Sequence, residues 1–263
     1  MYDNVHRFTH EDIEGAVIRV LDDEIVSINE FLPAEEKLDR PGEFRLAYTC
    51  CYLRHRGTHV LVDAGFDPDT VPGALESIDV SPEEIEWVLL THADRDHAGG
   101  LLRQDRSFTY PNAQHVIGHD LWEALCRPET LDSLDDERGP FYRRLVDAFD
   151  EHLQLYVEES EIVDGVRFVP NPGHRIGHAV YEFAAAKSPL LHTGDAFMHA
   201  IFVEQPGRSN RIDTDADQAA VSRVRLVERA AASNALVLAT HIPFPGMGRI
   251  ERSGGTTRWE PVR

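Results

Sequence analysis

The stretch Glu86 to Gly100, EWVLLTHADRDHAGG, constrains this chain more than any other. A short apolar run, Trp87 to Leu90, is followed by four metal-competent side chains within six residues and then by paired glycines. A short, continuous, bulky run of this kind reads as a buried strand. The chain leaves the sheet at Thr91, so His92, Asp94, Asp96 and His97 fall in the exit turn, where loops of α/β proteins gather side chains on one point. Gly99 and Gly100 let the backbone pass close to that point before a helix begins over Ala98 to Leu102. Charged turns are more often simply solvated. The metal reading therefore needs partners elsewhere, because a closed site takes three or four ligands per ion.

Partners stand at other strand ends. In PNPGHRIGHAV, Pro170, Pro172 and Gly173 fix a tight turn that delivers His174, with His178 one short segment further on. His174 is a ligand candidate, whereas His178, followed by an apolar strand, is assigned to supporting a ligand from behind. PLLHTGDAFM ends a strand at Gly194-Asp195, and Ala235 to Ala239 is a buried strand ending at His241. Asp63 leaves an apolar strand in VLVDAG, where it either supports a nearby ligand or caps the turn.

The intervening chain reads as α/β. Gly15 to Ile28 resembles two short strands joined at Asp22-Asp23, and Phe31 to Phe44 a surface loop that rims the active face. A hairpin turns at Arg56-Gly57. Val71 to Ile78 and Ser81 to Ile85 look helical, Phe108 to Ile117 returns as a strand, and helices follow around Trp122 and over Phe141 to His152. Strands resume at Leu153 to Val157, Val166 to Val169 and Val180 to Ala184. Asp215 to Asn234 is the clearest helix, with Val221, Val224, Val227 and Ala231 as its apolar stripe and Thr214 with Asp217 at its start. A last hairpin turns at Gly254-Gly255.

A net charge of −20 over 263 residues argues against a nucleic-acid partner and does not favour an anionic membrane. The start of the chain has neither a basic segment nor an apolar core, and no run approaches the roughly 20 apolar residues of a membrane span. A cytoplasmic protein acting on a small molecule is expected, with a homodimer left open. Cys50, Cys51 and Cys126 lack CxxC spacing and read as small core residues.

Taken in order, HADRDH, PGHRIGH, TGDAF and THIPFPGMG resemble the metallo-β-lactamase superfamily, and the match runs from VLVDAG to His241. That resemblance implies one domain over residues 1–263, an α/β four-layer αββα sandwich of two halves, about 1–150 and 151–263, with metals where the sheets meet. It implies two divalent ions, zinc first. His92, Asp94 and His174 would hold one ion and Asp96, His97 and His241 the other, with Asp195 bridging. The final segment resembles the branch that includes methyl parathion hydrolase and some lactonases. The family motif is HxHxDH, and Asp94 stands where the middle histidine does. Three carboxylates and a hydroxide would cancel two divalent ions, where the usual set leaves one positive charge over. Oxygen ligation also admits manganese or iron.

The activity so implied is hydrolysis of a neutral ester-like bond, in a lactone, carboxylic ester or phosphotriester, by a metal-bridging hydroxide that Asp96 orients. Phe197, Met198, His199, Phe202 and Phe244 flank the ligands as a candidate apolar pocket, with ordinary core packing as the alternative. A mononuclear iron dioxygenase of the persulfide type, using His92, His174 and one of Asp94 or Asp195, is a second reading. A ligand-binding member with altered chemistry is a third.

Overall fold

The computed structural model describes residues 4–132, 134, 138–149 and 153–262. Two seven-stranded sheets are each laid out in chain order. The first contains β1 (Val5–His10), β2 (Ile13–Ser27), β3 (Glu43–His55), β4 (Thr58–Val62), β5 (Trp87–Leu89), β6 (Gln114–Gly118) and β7 (Leu153–Tyr156). β1 to β4 form an antiparallel meander, and β4 to β7 run parallel. The second contains β8 (Ser160–Val163), β9 (Val166–Pro170), β10 (Ala179–Phe183), β11 (Leu190–His192), β12 (Leu236–Leu238), β13 (Met247–Ser253) and β14 (Thr256–Pro261). β11 and β12 are its parallel pair.

Parallel neighbours need crossovers, and these supply the helices. In chain order they are α1 (Thr70–Glu76), α2 (Arg95–Ala98), α3 (His119–Leu125), α4 (Pro128–Asp132), α5 (Arg138–Ala148), α6 (Ala200–Glu204) and α7 (Ala216–Ser233). The strands alternate two apolar faces. Val17, Val62, Leu89, Tyr181 and Leu238 pack between the sheets, while their neighbours Ile18, Leu61, Val88, Val180 and Val237 pack under outer helices. The result is an αββα sandwich. Each such side chain contributes about 1.5–3 kcal/mol by leaving water.

Several expectations are corrected. Gly15 to Ile28 is one strand rather than two: register shifts against β3 at Arg19/Leu21 and Leu21/Glu24 absorb the Asp22-Asp23 irregularity. β7 belongs to the first sheet, so the sheets part after Tyr156. Ser81 to Ile85 contains a single 3-10 turn, Pro82–Glu84, and the strand expected from Phe108 begins only at Gln114. In α7 the buried face is Ala219, Ser222, Arg223, Leu226, Val227 and Ala230, whereas Val221 and Val224 are exposed. The stripe misled because an ion pair buries Arg223 on the inner side. Asp215, not Thr214, caps that helix by accepting from Gln218 N–H. Cys50 and Cys51 are buried but Cys126 is exposed. The end of the helix expected to reach His152 lies outside the described residues. Among the described residues no helix is long and apolar enough to cross a membrane.

Candidate metal centre

Four strand ends meet at one edge of the sandwich. The sheets are tied there by the Tyr181 hydroxyl donating to Leu90 O at 2.7 Å and by Ala179 N–H donating to Thr91 O at 2.8 Å. The turn after β5 is tighter than expected, because α2 starts at Arg95 and carries Asp96 and His97 within its single turn, followed by the 3-10 turn Gly99–Leu101. Gly100 N–H donates to Gly65 O at 3.0 Å, which holds this turn against the exit of β4.

The structure brings all seven proposed ligand residues together. His92, Asp94 and His174 present atoms within 4.8 Å of one another, and so do Asp96, His97 and His241. Asp195 stands between the two groups. Its Oδ2 is 3.7 Å from His92 Nε2 and 3.2 Å from His174 Nε2, and its Oδ1 is 3.1 Å from both His97 Nε2 and His241 Nε2. His241 Nε2 also lies 3.2 Å from Oδ2, so Asp195 stands between the groups with Oδ2 toward His92 and His174, Oδ1 toward His97, and His241 close to both. The flanking carboxylates close the groups, Asp94 Oδ2 at 3.6 Å from His92 Nε2 and Asp96 Oδ2 at 3.3 Å from His97 Nε2.

The imidazoles are oriented from behind. His97 Nδ1 lies 2.7 Å from Asp63 Oδ2, His174 Nδ1 2.9 Å from Asp213 Oδ1, and His241 Nδ1 2.7 Å from the Ala47 carbonyl. The Thr91 hydroxyl donates to Asp63 and so accepts from His92 Nδ1 at 3.1 Å. With each Nδ1 engaged from behind, each Nε2 faces inward. Such backing fixes tautomer and ring orientation. Asp63, fully buried in a left-handed backbone conformation (φ 61), supports His97 as well as the turn, since it also accepts from Thr91 N–H at 2.8 Å. His178 donates from Nδ1 to Asn171 O and accepts Asp195 N–H at Nε2, so both its nitrogens are engaged and it positions Asp195.

His92 Nε2, His97 Nε2, His174 Nε2 and Asp195 Oδ1 are buried without hydrogen-bond partners. Leaving each such atom unpaired costs about 1–3 kcal/mol. These four line the two adjoining donor groups, an environment that cations satisfy, and the mixed imidazole and carboxylate donors suit zinc, manganese or iron. The electrostatics agree. Burial alone would raise the Asp195 carboxyl, but His241, His97 and His92 outweigh it and hold it well below the usual carboxylate range. Burial would lower the His97 imidazole, but Asp195, Asp96 and Asp63 raise it well above its ordinary value. A cation would therefore displace a proton on binding.

Sequence reading missed Asp213, Arg223 and Arg175. Asp213 holds His174 and is itself held by buried Arg223 at 2.7 Å. Arg175 Nε donates to Asp94 Oδ2 at 2.8 Å while its NH1 donates to His174 O and Ile212 O. The neighbour of His174 in sequence was the available signal for Arg175. Asp213 had none, because the loop that carries it is far away in the chain. Arg175 also corrects the charge count: its guanidinium returns the positive charge that Asp94 removes.

The expected apolar pocket divides. Phe197, Met198 and Phe202 are core side chains under α6 and α7. His199 and Phe244 instead line an apolar cavity of about 340 Å³ with Ile242, Met247 and Trp259. The cavity bordered by the ligand carboxylates is different, about 470 Å³, and is lined by Asp94, Arg95, Asp96, Arg138, Phe141, Tyr142 and Arg144.

Two substitutions test the backing groups. Asp63→Asn keeps the shape but removes the charge behind His97, and is expected to weaken metal binding at the group Asp96, His97 and His241 by about ten- to a hundredfold, read by chelator competition. Arg175→Met is expected to weaken the other site by about tenfold. Unchanged affinity in either variant would show that the contact does not orient its ligand.

A model of the metallo-beta-lactamase superfamily matches residues 45–241. This chain belongs to that superfamily. A probable metallo-hydrolase of Mycobacterium tuberculosis is 30% identical over 149 residues, covering 54% of this chain and 46% of that protein. The same figures hold for a probable metallo-hydrolase of Mycobacterium bovis. The matched region thus spans about half the length of these curated relatives. Among solved structures, AbOPH, a hydrolase in the beta lactamase superfamily, superposes with a TM-score of 0.82 at 20% identity, covering 100% of this chain and 99% of that one. The dizinc quorum-quenching lactonase AidC gives a TM-score of 0.82 at 19% identity, with 99% and 98% covered. At these identities the likeness shows the fold.

Proposed function

We propose that the protein is a binuclear metallo-hydrolase that cleaves an ester-type bond, in a lactone or carboxylic ester, of a small molecule. The observation that carries this reading is Asp195, which stands between the two donor groups with Oδ2 near His92 and His174, Oδ1 near His97, and His241 within reach of both oxygens. A carboxylate placed between two donor groups suits a two-ion centre, whereas a single iron site has no second ion for it to share. Lactonases among the structural neighbours add support.

His92, Asp94 and His174 would hold one divalent ion and Asp96, His97 and His241 the second, with Asp195 shared; zinc is the first choice. When bound, such ions polarise the scissile carbonyl and make water nucleophilic at neutral pH. The chain's own groups do the rest. Asp96 is partly exposed at the 470 Å³ cavity, so its carboxylate can orient an attacking water and accept its proton. The Tyr142 phenol, lining the same cavity, is pushed up to about 12 by burial and by Asp94. It stays protonated at neutral pH, where it can donate to a substrate oxygen.

The test is turnover of a lactone and aryl-ester panel by metal-loaded protein. Activity lost on chelation and restored by zinc or manganese is expected. No turnover across the panel, with oxygen consumed in the presence of a thiol-derived substrate, would replace the hydrolase by an oxygenase.

A further inference from the structure

The 470 Å³ cavity has a second character, carried by its arginines. Arg95, Arg138 and Arg144 stand on its wall, against two carboxylates that are already engaged: Asp94 by Arg175 and His92, Asp96 by His97 and His241. Arg95 is the residue between Asp94 and Asp96, so the sequence itself sets a guanidinium beside the metal cluster. Its Cζ sits 4.4 Å from the centre of the Phe66 ring, a cation–π contact that holds the group in place. Arg144 projects from α5, beside Phe141 on the cavity wall.

Among the described residues neither Arg95 nor Arg144 forms an ion pair with a carboxylate of this chain. Both guanidiniums therefore face the cavity with their charge uncompensated by an ion pair. Both also border a smaller cavity with Asp67 and Asp69. Asp67, however, accepts from the Thr70 and Asp69 amides and the Thr70 hydroxyl, which commits it to the turn before α1.

We propose that this cavity seats the anionic end of the substrate, a carboxylate held away from the scissile bond and bound by Arg95 and Arg144. The proposal rests on the hydrolase reading of the same centre and names its substrate class. Guanidinium forks match carboxylates geometrically, and Phe141 and Tyr142 provide an apolar wall for the atoms between the carboxylate and the reacting carbonyl. The scissile ester is itself uncharged. Arg175 and this wall add positive charge that a count of the ligand charges alone leaves out.

The experiment compares 4-nitrophenyl pentanoate with mono-4-nitrophenyl glutarate, which differ by a terminal methyl against a terminal carboxylate. The ratio of kcat/KM, anionic over neutral, is expected to fall about tenfold in Arg144→Ala and further in Arg95→Ala/Arg144→Ala, with the change in KM. Melting temperature and metal content verify that each variant is folded and loaded. A ratio that does not move overturns the anionic pocket while leaving the hydrolase standing. If neither ester is turned over, the hydrolase reading fails separately, and the pocket is read by calorimetric binding of benzenesulfonate, a poor metal ligand. Binding about tenfold weaker in Arg144→Ala supports the pocket, and absent or equal binding overturns it.

Discussion

Asp195→Asn is expected to lower kcat/KM by at least roughly a thousandfold and to release metal from both sites. The side chain keeps its size, so the effect is one of charge and donor pattern. In the native chain Oδ2 lies near His92 and His174, Oδ1 lies near His97, and His241 Nε2 is within 3.2 Å of both. An amide can offer an oxygen to only one group, and its NH₂ repels a cation from the other. His178 and the backbone of Asp195 would stay as they are, since the His178 contact is to the main-chain N–H. Elemental analysis alongside turnover checks the prediction. A variant that retained two ions and native turnover would remove Asp195 from the bridging position.

Gly100→Ala is expected to be strongly damaging, lowering stability by about 3 kcal/mol or more. In a chain of this size that corresponds to a fall of roughly 6–12 °C in melting temperature. A Cβ at Gly100 would strike the Ala64 carbonyl oxygen and come within 2.7 Å of Asp67 O, both backbone atoms that cannot swing aside. The two segments it would pry apart are joined by Gly100 N–H to Gly65 O and Ala64 N–H to His97 O at 2.6 Å. Asp63 would then move away from His97, so metal retention should fall with stability. Gly73→Ala is the contrast. Nothing lies within 4 Å of its added Cβ, and it sits inside α1, so a gain of up to about 1 kcal/mol is expected. Thermal melts of the two variants side by side measure both.

The candidate residues that meet at this edge were legible in the sequence because four of them follow closely on an apolar strand. His92, His174, Asp195 and His241 stand at or just beyond strand ends, where local pattern alone indicates a polar residue in an unusual place. Asp63 was legible for the same reason, though its dual role in turn and site needed coordinates. What supports the site from a distance was not legible. Asp213 reaches His174 from 39 residues away, and buried Arg223 in turn holds Asp213. Arg223 also explains the misread face of α7: an arginine paired with a buried carboxylate belongs inside, which a hydropathy pattern assigns outside. The long β2 strand was hidden in the same way, because its bulges against β3 break the alternation on which strand reading depends. Phe197, Met198 and Phe202 were read as pocket from their nearness in sequence to Asp195, but the short turn after it directs all three into the core.

The central claim is a two-ion centre built from seven residues, and metal content per chain of protein purified without chelators tests it most directly. Two divalent ions per chain, with the count falling in Asp195→Asn, is the expected result. A single iron per chain, or no retained metal at any purification pH, would contradict it.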